Sequence, residues 1–238
     1  MKIDQQKLTA ALLVDNLLIA NYQKQALINA IELLDIKIII NCQNTFRKTN
    51  SLKQFLLYFL NLFSIKNYMF QPTSLPDELN DVEIINFNSL YEDSCQVIPN
   101  DIYDLVKSIN CKIIIKFGMN FLGIKDNAKH FDILAYEHGG PEKYPNNLAG
   151  FHEISENAEK LEIIVQKLSH IHDGGKVYAR AFSKVFNYSY KQTSIEYLLA
   201  SRFLLRKALI NYRQSKEITI KELRKDHAFP SNFQVVKF

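Results

Sequence analysis

The sequence predicts a three-layer α/β/α domain on a mostly parallel, twisted sheet, and three observations lead there. Ile36–Cys42 reads as apolar on both faces, as a strand buried from two sides is, and Cys111–Phe117 carries a β-branched run at its centre. Helical patterns lie between such runs, with connections short enough for right-handed strand–helix–strand crossovers. Two later strands run into a polar residue and then a glycine pair, at His138-Gly139-Gly140 and Asp173-Gly174-Gly175. An α/β sheet delivers chemistry at its carboxyl edge in this way.

The elements follow in order. The first strand ends at Asp15, and a helical pattern runs from about Leu17 to Leu34. Ile36–Cys42 is a buried strand, and a polar loop follows it. The aromatic segment from about Leu52 to Phe70 reads as a helix lying across the sheet. Residues 72–81 read as a loop and Val82–Phe87 as a short strand. Pro99, an aspartate in the first turn and apolar residues at helical spacing predict a helix over Pro99–Asn110. Cys111–Phe117 is the clearest strand and is expected at the sheet centre. Asp132–His138 is another strand, and a short helix is expected near Ala149–Ser155. The segments around Leu161–Leu168 and Lys176–Val185 read as two edge strands, antiparallel across the turn at Asp173. Ser194–Gln214 reads as one long amphipathic helix. Residues 1–190 are expected to form the α/β catalytic domain, with residues 191–238 a C-terminal helix and extension packed on it.

At 238 residues the chain can bury one good core, and 7 glycines and 6 prolines argue against a linker-rich, multidomain chain. The net charge of +4 is mild and scattered. It fits anionic small substrates as well as it fits a bland surface. No nucleic-acid motif is present. Cys42, Cys95 and Cys111 lack metal-ligand spacing, and an odd thiol count fits a reducing compartment. The apolar run Phe55–Phe63 is about half the length a bilayer span needs. The expectation is a cytoplasmic protein without a membrane span. His170 and His172 alternate with Ile171, but no third ligand has suitable spacing, so no metal is expected.

Three motifs carry a resemblance. They are Tyr136-Glu137-His138-Gly139 at a strand end, Ala149-Gly150-Phe151-His152-Glu153 closing the next loop, and His172-Asp173-Gly174-Gly175 at a turn. Together with Phe117-Gly118 and Leu122 upstream, this order resembles the formyltransferase family, in a branch where Y-x-H-G replaces the commoner N-x-H. The likeness covers about Cys111 to Ala181. It implies a Rossmann-like α/β fold and 10-formyltetrahydrofolate as formyl donor. His138 and Asp173 then match the family's histidine and aspartate, and their separation along the chain is close to the family's usual gap. Tyr136 stands where the family has its catalytic asparagine.

The resemblance places Phe117, Gly118, Met119, Asn120, Phe121, Leu122, Gly139, Gly140 and His172 around the folate, with His138, Asp173 and Tyr136 catalytic. It implies N-formyl transfer to a small acceptor, a nucleotide-linked amino sugar of surface polysaccharide synthesis. The residues also admit plainer readings: His138 as a strand-end structural histidine, Asp173 as an Asp-Gly turn residue, Tyr136 as a packed aromatic, and Phe117–Leu122 as a strand-end turn. Asp15 and Asn16 sit where an acceptor phosphate often lies, although a carboxylate there repels phosphate. His152 and Glu153 fit either an acceptor site or a helix surface. A catalytically impaired folate- or nucleotide-binding homologue, or another group transfer or hydrolysis, is the alternative function, since fold does not fix function. The apolar surplus at Phe203, Leu204 and Leu205 fits a core-covering helix or a homodimer contact.

Overall fold

The computed structural model describes residues 7–44, 67–92, 95–119, 122, 130–139, 149–168 and 175–218. β1 (Leu8–Val14) is buried on both faces from Ala10 onward. β2 (Leu18–Ala20) leads into α1 (Asn21–Ala30), which tightens into a 3-10 turn over Ile31–Leu33 before β3 (Leu34–Cys42). Next come β4 (Pro72–Ser74), β5 (Glu83–Phe87), β6 (Leu90–Glu92), β7 (Cys95–Val97) and α2 (Asn100–Ser108). β8 (Ile113–Lys116), β9 (Asp132–His138), α3 (Phe151–Ser155), β10 (Lys160–Lys167) and β11 (Lys176–Lys184) follow, and α4 (Tyr190–Ser201) and α5 (Leu204–Arg213) complete the described elements.

One seven-stranded sheet runs β11-β10-β9-β8-β1-β3-β5. The pairs β5–β3, β3–β1, β1–β8 and β8–β9 are parallel, while β9–β10 and β10–β11 are antiparallel. The chain therefore moves outward from β1 to β5 and returns to β8 on the other flank of β1. That reversal opens a topological switch point between the carboxyl ends of β1 and β8, where open α/β sheets bind ligands.

Side chains alternate between the faces with a period of two. Leu12, Ile39, Ile113, Ile115, Leu134 and Ile163 point to one layer, formed by Ala26 and Leu27 of α1, Leu198 of α4 and Leu205 and Leu209 of α5. Leu13, Ile38, Ile40, Ile114 and Ile133 point to the other, against Ile102, Tyr103 and Val106 of α2. Each fully buried Leu or Ile is worth roughly 1.5–3 kcal/mol of transfer free energy, so these strands carry much of the stability. The three-layer α/β/α architecture expected from the sequence is the one observed. β8 is its middle strand, and β10 and β11 are antiparallel at the edge.

Three expectations need correction. Ser194–Gln214 is not one helix, because α4 ends at Ser201 and α5 starts at Leu204. The Tyr136 hydroxyl donates to Ser201 O at 2.9 Å and accepts from Leu205 N at 3.0 Å, and Asn29 Nδ2 donates to Arg202 O at 3.1 Å. Side chains from β9 and α1 thus take backbone groups that a continuous helix would pair internally. The helix expected from about Leu17 begins only at Asn21, because Leu18–Ala20 pairs as β2 with β4. Gln23 reaches back to accept from Ala20 N at 2.9 Å and fixes that start. Residues 72–81 are also not all loop, since they hold β4 and a 3-10 turn at Asp77–Leu79. The helix expected over Leu52–Phe70 lies mostly outside the described residues.

Candidate active site

The carboxyl ends of β1, β8 and β9 carry the described candidates Asp15, Phe117–Met119, Tyr136 and His138, with the Phe117 and Tyr136 rings 6.1 Å apart. Where β1 stops, Asp15 Oδ1 accepts from Met119 N at 2.7 Å, and Leu13 O accepts from Phe117 N at 2.8 Å and Gly118 N at 3.2 Å. The segment after β8 is thereby laid across the end of β1. Gly118 is required there, because a Cβ would lie 2.4 Å from Asp15 Oδ1 and 2.5 Å from Asp15 N. Gln23 Nε2 reaches Phe117 O at 3.4 Å. Asp15, Asn16, Gln23 and Phe117 line a half-open hollow of about 100 Å³ at the switch point. That is water- or phosphate-sized, well below the few hundred Å³ of a drug-sized ligand site.

The backbone donors of Phe117, Gly118 and Met119 are thus already engaged. Any hydrogen bond from this segment to a ligand falls to its carbonyls, each with a second lone pair, or to residues after Met119. Met119 is fully buried, Leu122 is partly exposed, and Asn120 and Phe121 lie outside the described residues.

On β9, Tyr136 and His138 share the face covered by α1 and α4. Their rings stack at 5.7 Å and 9°. Tyr22 meets the His138 ring edge-on at 5.6 Å, and Tyr197 lies tilted at 5.2 Å. His138 Nε2 is 2.9 Å from Ser201 Oγ. The cage leaves His138 partly exposed, yet burial pushes its pKa from 6.5 down to about 4. Burial raises Tyr22 to about 12 and drives Tyr136 and Tyr197 well upward, so none of the three phenols ionises near neutral pH.

Tyr136 was expected among the catalytic groups, with a phenol free to donate where the family uses an amide. The structure gives that proton to Ser201 O. A hydroxyl has one proton to give, so in this arrangement Tyr136 holds the helix junction and has none left for a substrate.

Lys116 and Glu137 lie on the opposite face of the same strands, by alternation with Ile115 and Tyr136. Burial lowers the Lys116 pKa to about 8, and the negative charges of Asp15 and Glu137 hold it up against a larger fall. Asp15 is itself raised by burial, against its bond from Met119 N and the Lys116 charge. Glu137 Oε2 accepts from Gln166 Nε2 at 2.6 Å.

Two of the three sequence motifs meet in space. Gly139 adopts φ 89°, donates to Glu162 O at 2.9 Å, and packs so closely that a Cβ would stand 3.3 Å from Glu153 Oε1 and 3.6 Å from Ala149 Cα. Glu153 Oε2 accepts from Gly150 N at 2.9 Å and caps α3. His152 and Glu153 are 8% and 3% exposed, which rules out the helix-surface reading of that pair. Asp173, His172 and Gly140 lie outside the described residues. The sequence reading missed Ser201, Tyr197, Tyr22 and Lys116. Lys116 had a usable signal, a charge ending a β-branched run. Ser201 had a weaker one, a small polar residue one turn after Tyr197.

Among the described residues, no group of three His, Cys, Asp or Glu is placed to hold a metal ion. No described helix is long and apolar enough to cross a membrane.

No protein-family model matches the sequence, and no curated protein does. Solved structures do match. Phosphoribosylglycinamide formyltransferase from Anaplasma phagocytophilum aligns over 94% of this chain and 98% of its own, with 11% identity and a TM-score of 0.56. A formyltetrahydrofolate deformylase from Pseudomonas putida aligns over 93% of this chain and 70% of its own, with 10% identity and a TM-score of 0.54. A sugar 3N-formyl transferase solved with dTDP and 5-N-formyl-THF aligns over 94% of this chain and 69% of its own, with 10% identity and a TM-score of 0.54. The chain spans 31% of the length of HypX from Aquifex aeolicus, another structure it matches. The fold of this chain is that of the formyltransferases.

Proposed function

We propose that this protein is an N-formyltransferase that moves a formyl group from 10-formyltetrahydrofolate to the amine of a small acceptor. The observation that carries the reading is His138. It is a neutral imidazole at the carboxyl end of β9, two strands from β1 and next to the strand that borders the switch point, in a sheet of formyltransferase type. The family motifs Tyr136–Gly139 and Ala149–Glu153 pack against each other beside it.

The acceptor amine must arrive neutral, attack the formyl carbon, and give up one proton while the leaving N10 of the folate gains one. An imidazole with a pKa near 4 holds such a proton weakly, so His138 serves by accepting a hydrogen bond from the amine and orienting it. The proton passes to the Asp173 carboxylate, directly or through water, on its way to the leaving N10. The donor would lie along Phe117–Leu122, with Gly139, Gly140 and His172 closing its other side. The acceptor is a nucleotide-linked amino sugar. The test is release of tetrahydrofolate from 10-formyltetrahydrofolate, dependent on an amino-sugar nucleotide and abolished by His138→Ala. Turnover unaffected by that substitution refutes the assignment.

A second reading, a ligand-binding homologue with impaired catalysis, is favoured by one observation. The residue in the place of the family asparagine, Tyr136, spends its only proton on Ser201 O. Calorimetric folate binding without turnover across a panel of amino sugars supports that reading, and formate release without an acceptor points to hydrolysis instead.

A further inference from the structure

Tyr136 and His138, alternate residues of one strand, both grip Ser201 in the last turn of α4. The Tyr136 phenol donates to the Ser201 carbonyl, and His138 Nε2 lies 2.9 Å from the Ser201 hydroxyl. That hydroxyl is itself fixed, because Ser201 Oγ donates to Tyr197 O one turn back, at 2.7 Å. A hydroxyl carries a single proton but two lone pairs. With its proton committed to Tyr197 O, Ser201 Oγ meets the imidazole only as an acceptor. The imidazole proton therefore sits on Nε2, and Nδ1 is the bare nitrogen.

We propose that Ser201 is a positioning residue for His138, locking the imidazole as the Nε2–H tautomer and leaving the Nδ1 lone pair to the acceptor amine. Among the described residues, the groups facing His138 are Tyr22 from α1, Tyr136 from its own strand, and Tyr197 and Ser201 from α4. None of these carries a negative charge near neutral pH, so among them the serine hydroxyl is what selects the tautomer. Ser201 is fully buried, so solvation does not account for a hydroxyl there. The orientation of one ring nitrogen by the hydrogen bond of the other is a general device of histidine sites.

The pairing also gives a physical meaning to tyrosine at position 136. An asparagine side chain is several ångströms shorter than a tyrosine and would not reach the Ser201 carbonyl. Tyr136 fixes the main chain of Ser201, and Ser201 fixes His138. The two residues act as a unit that orients the histidine from behind.

The role of Nδ1 toward an amine rests on the formyl-transfer reading, whereas the tautomer does not, and the experiment separates the two. Nitrogen-15 NMR of imidazole-labelled protein at pH 7 is expected to show His138 protonated at Nε2 and bare at Nδ1. In Ser201→Ala both tautomers are expected. A wild-type His138 protonated at Nδ1, or a Ser201→Ala spectrum unchanged from wild type, overturns the proposal whether or not the protein transfers formyl groups. The wild-type spectrum alone keeps it falsifiable if the variant does not fold. With an active enzyme, Ser201→Ala is expected to lower kcat about fivefold, the population equivalent of one neutral hydrogen bond of about 1 kcal/mol, with the donor KM little changed. Ser201→Thr restores kcat if its hydroxyl makes the same bond. An unchanged kcat in Ser201→Ala refutes the catalytic half of the proposal, while absence of any turnover in wild type refutes the formyl-transfer reading and leaves the tautomer test standing.

Discussion

Replacing His138 with glutamine should remove a defined part of the protein's acid sensitivity. Burial holds the imidazole near pKa 4 in the folded chain, against 6.5 when it is exposed. Between those values the unfolded chain binds the proton and the folded chain does not, so stability rises with pH across that window. The contribution is fully in place above about pH 6.5 and is lost as pH falls toward 4. A shift of this size corresponds to about 3 kcal/mol at 1.36 kcal/mol per unit. The assay is denaturant unfolding of wild type and His138→Gln at intervals from pH 7.5 to pH 4. Other titrating groups largely cancel in the difference between the two proteins, and Tyr22, Tyr136 and Tyr197 do not ionise in this range. The difference, wild type minus variant, should be flat above pH 7 and fall by about 3 kcal/mol on going to pH 4. A flat difference, or one that rises on acidification, would mean that the imidazole is not held neutral by its surroundings.

Other consequences follow from the same contacts. Tyr136→Phe keeps the ring stack but strands Ser201 O and Leu205 N, and should cost about 2 kcal/mol by the usual penalty for buried unpaired groups; an unchanged denaturation midpoint contradicts the junction described here. Gly118→Ala must displace Asp15 backbone as well as side chain, so a thermal melt should show a large loss of Tm or failure to fold. Asp15→Ala removes the acceptor for Met119 N and should cost about 1–3 kcal/mol, most of it recovered in Asp15→Asn. In an active enzyme, any acid limb of the kcat/KM profile that belongs to His138 should fall near pH 4; a His138 imidazole that titrates near 6.5 by NMR would contradict the buried cage.

The sheet was legible in the sequence because its strands are buried on both faces. No polar position interrupts Ile113–Ile115, and that run fixed β8 as a strand and as the sheet centre. The edge pair was legible from a different signal, two strand-like runs joined by the short Asp173-Gly174-Gly175 turn, and β10 and β11 do pair antiparallel. The break between α4 and α5 was not legible. Residues 201–205 hold no glycine or proline, and the group that splits the helix is a phenol from a strand far earlier in the chain. Strand β2 was hidden for a related reason, as among the described residues its three residues pair with β4 alone, whose Pro72 reads as loop.

The candidate site divides along the same line. His138 was found because it ends an apolar run before glycine, a local pattern. Its environment was not found, because Tyr22, Tyr197 and Ser201 come from two helices whose packing no local pattern encodes. The burial of Glu153 likewise depends on Gly139 and Gly150 meeting it from two different segments.

A crystal structure with a bound, non-transferable folate such as 5-formyltetrahydrofolate would test most directly whether the candidate site is a folate site. The expected result is a pterin against Phe117–Leu122 with the formyl-bearing end of the folate beside His138. A folate bound elsewhere on the molecule, or no folate bound at saturating concentration, would contradict it.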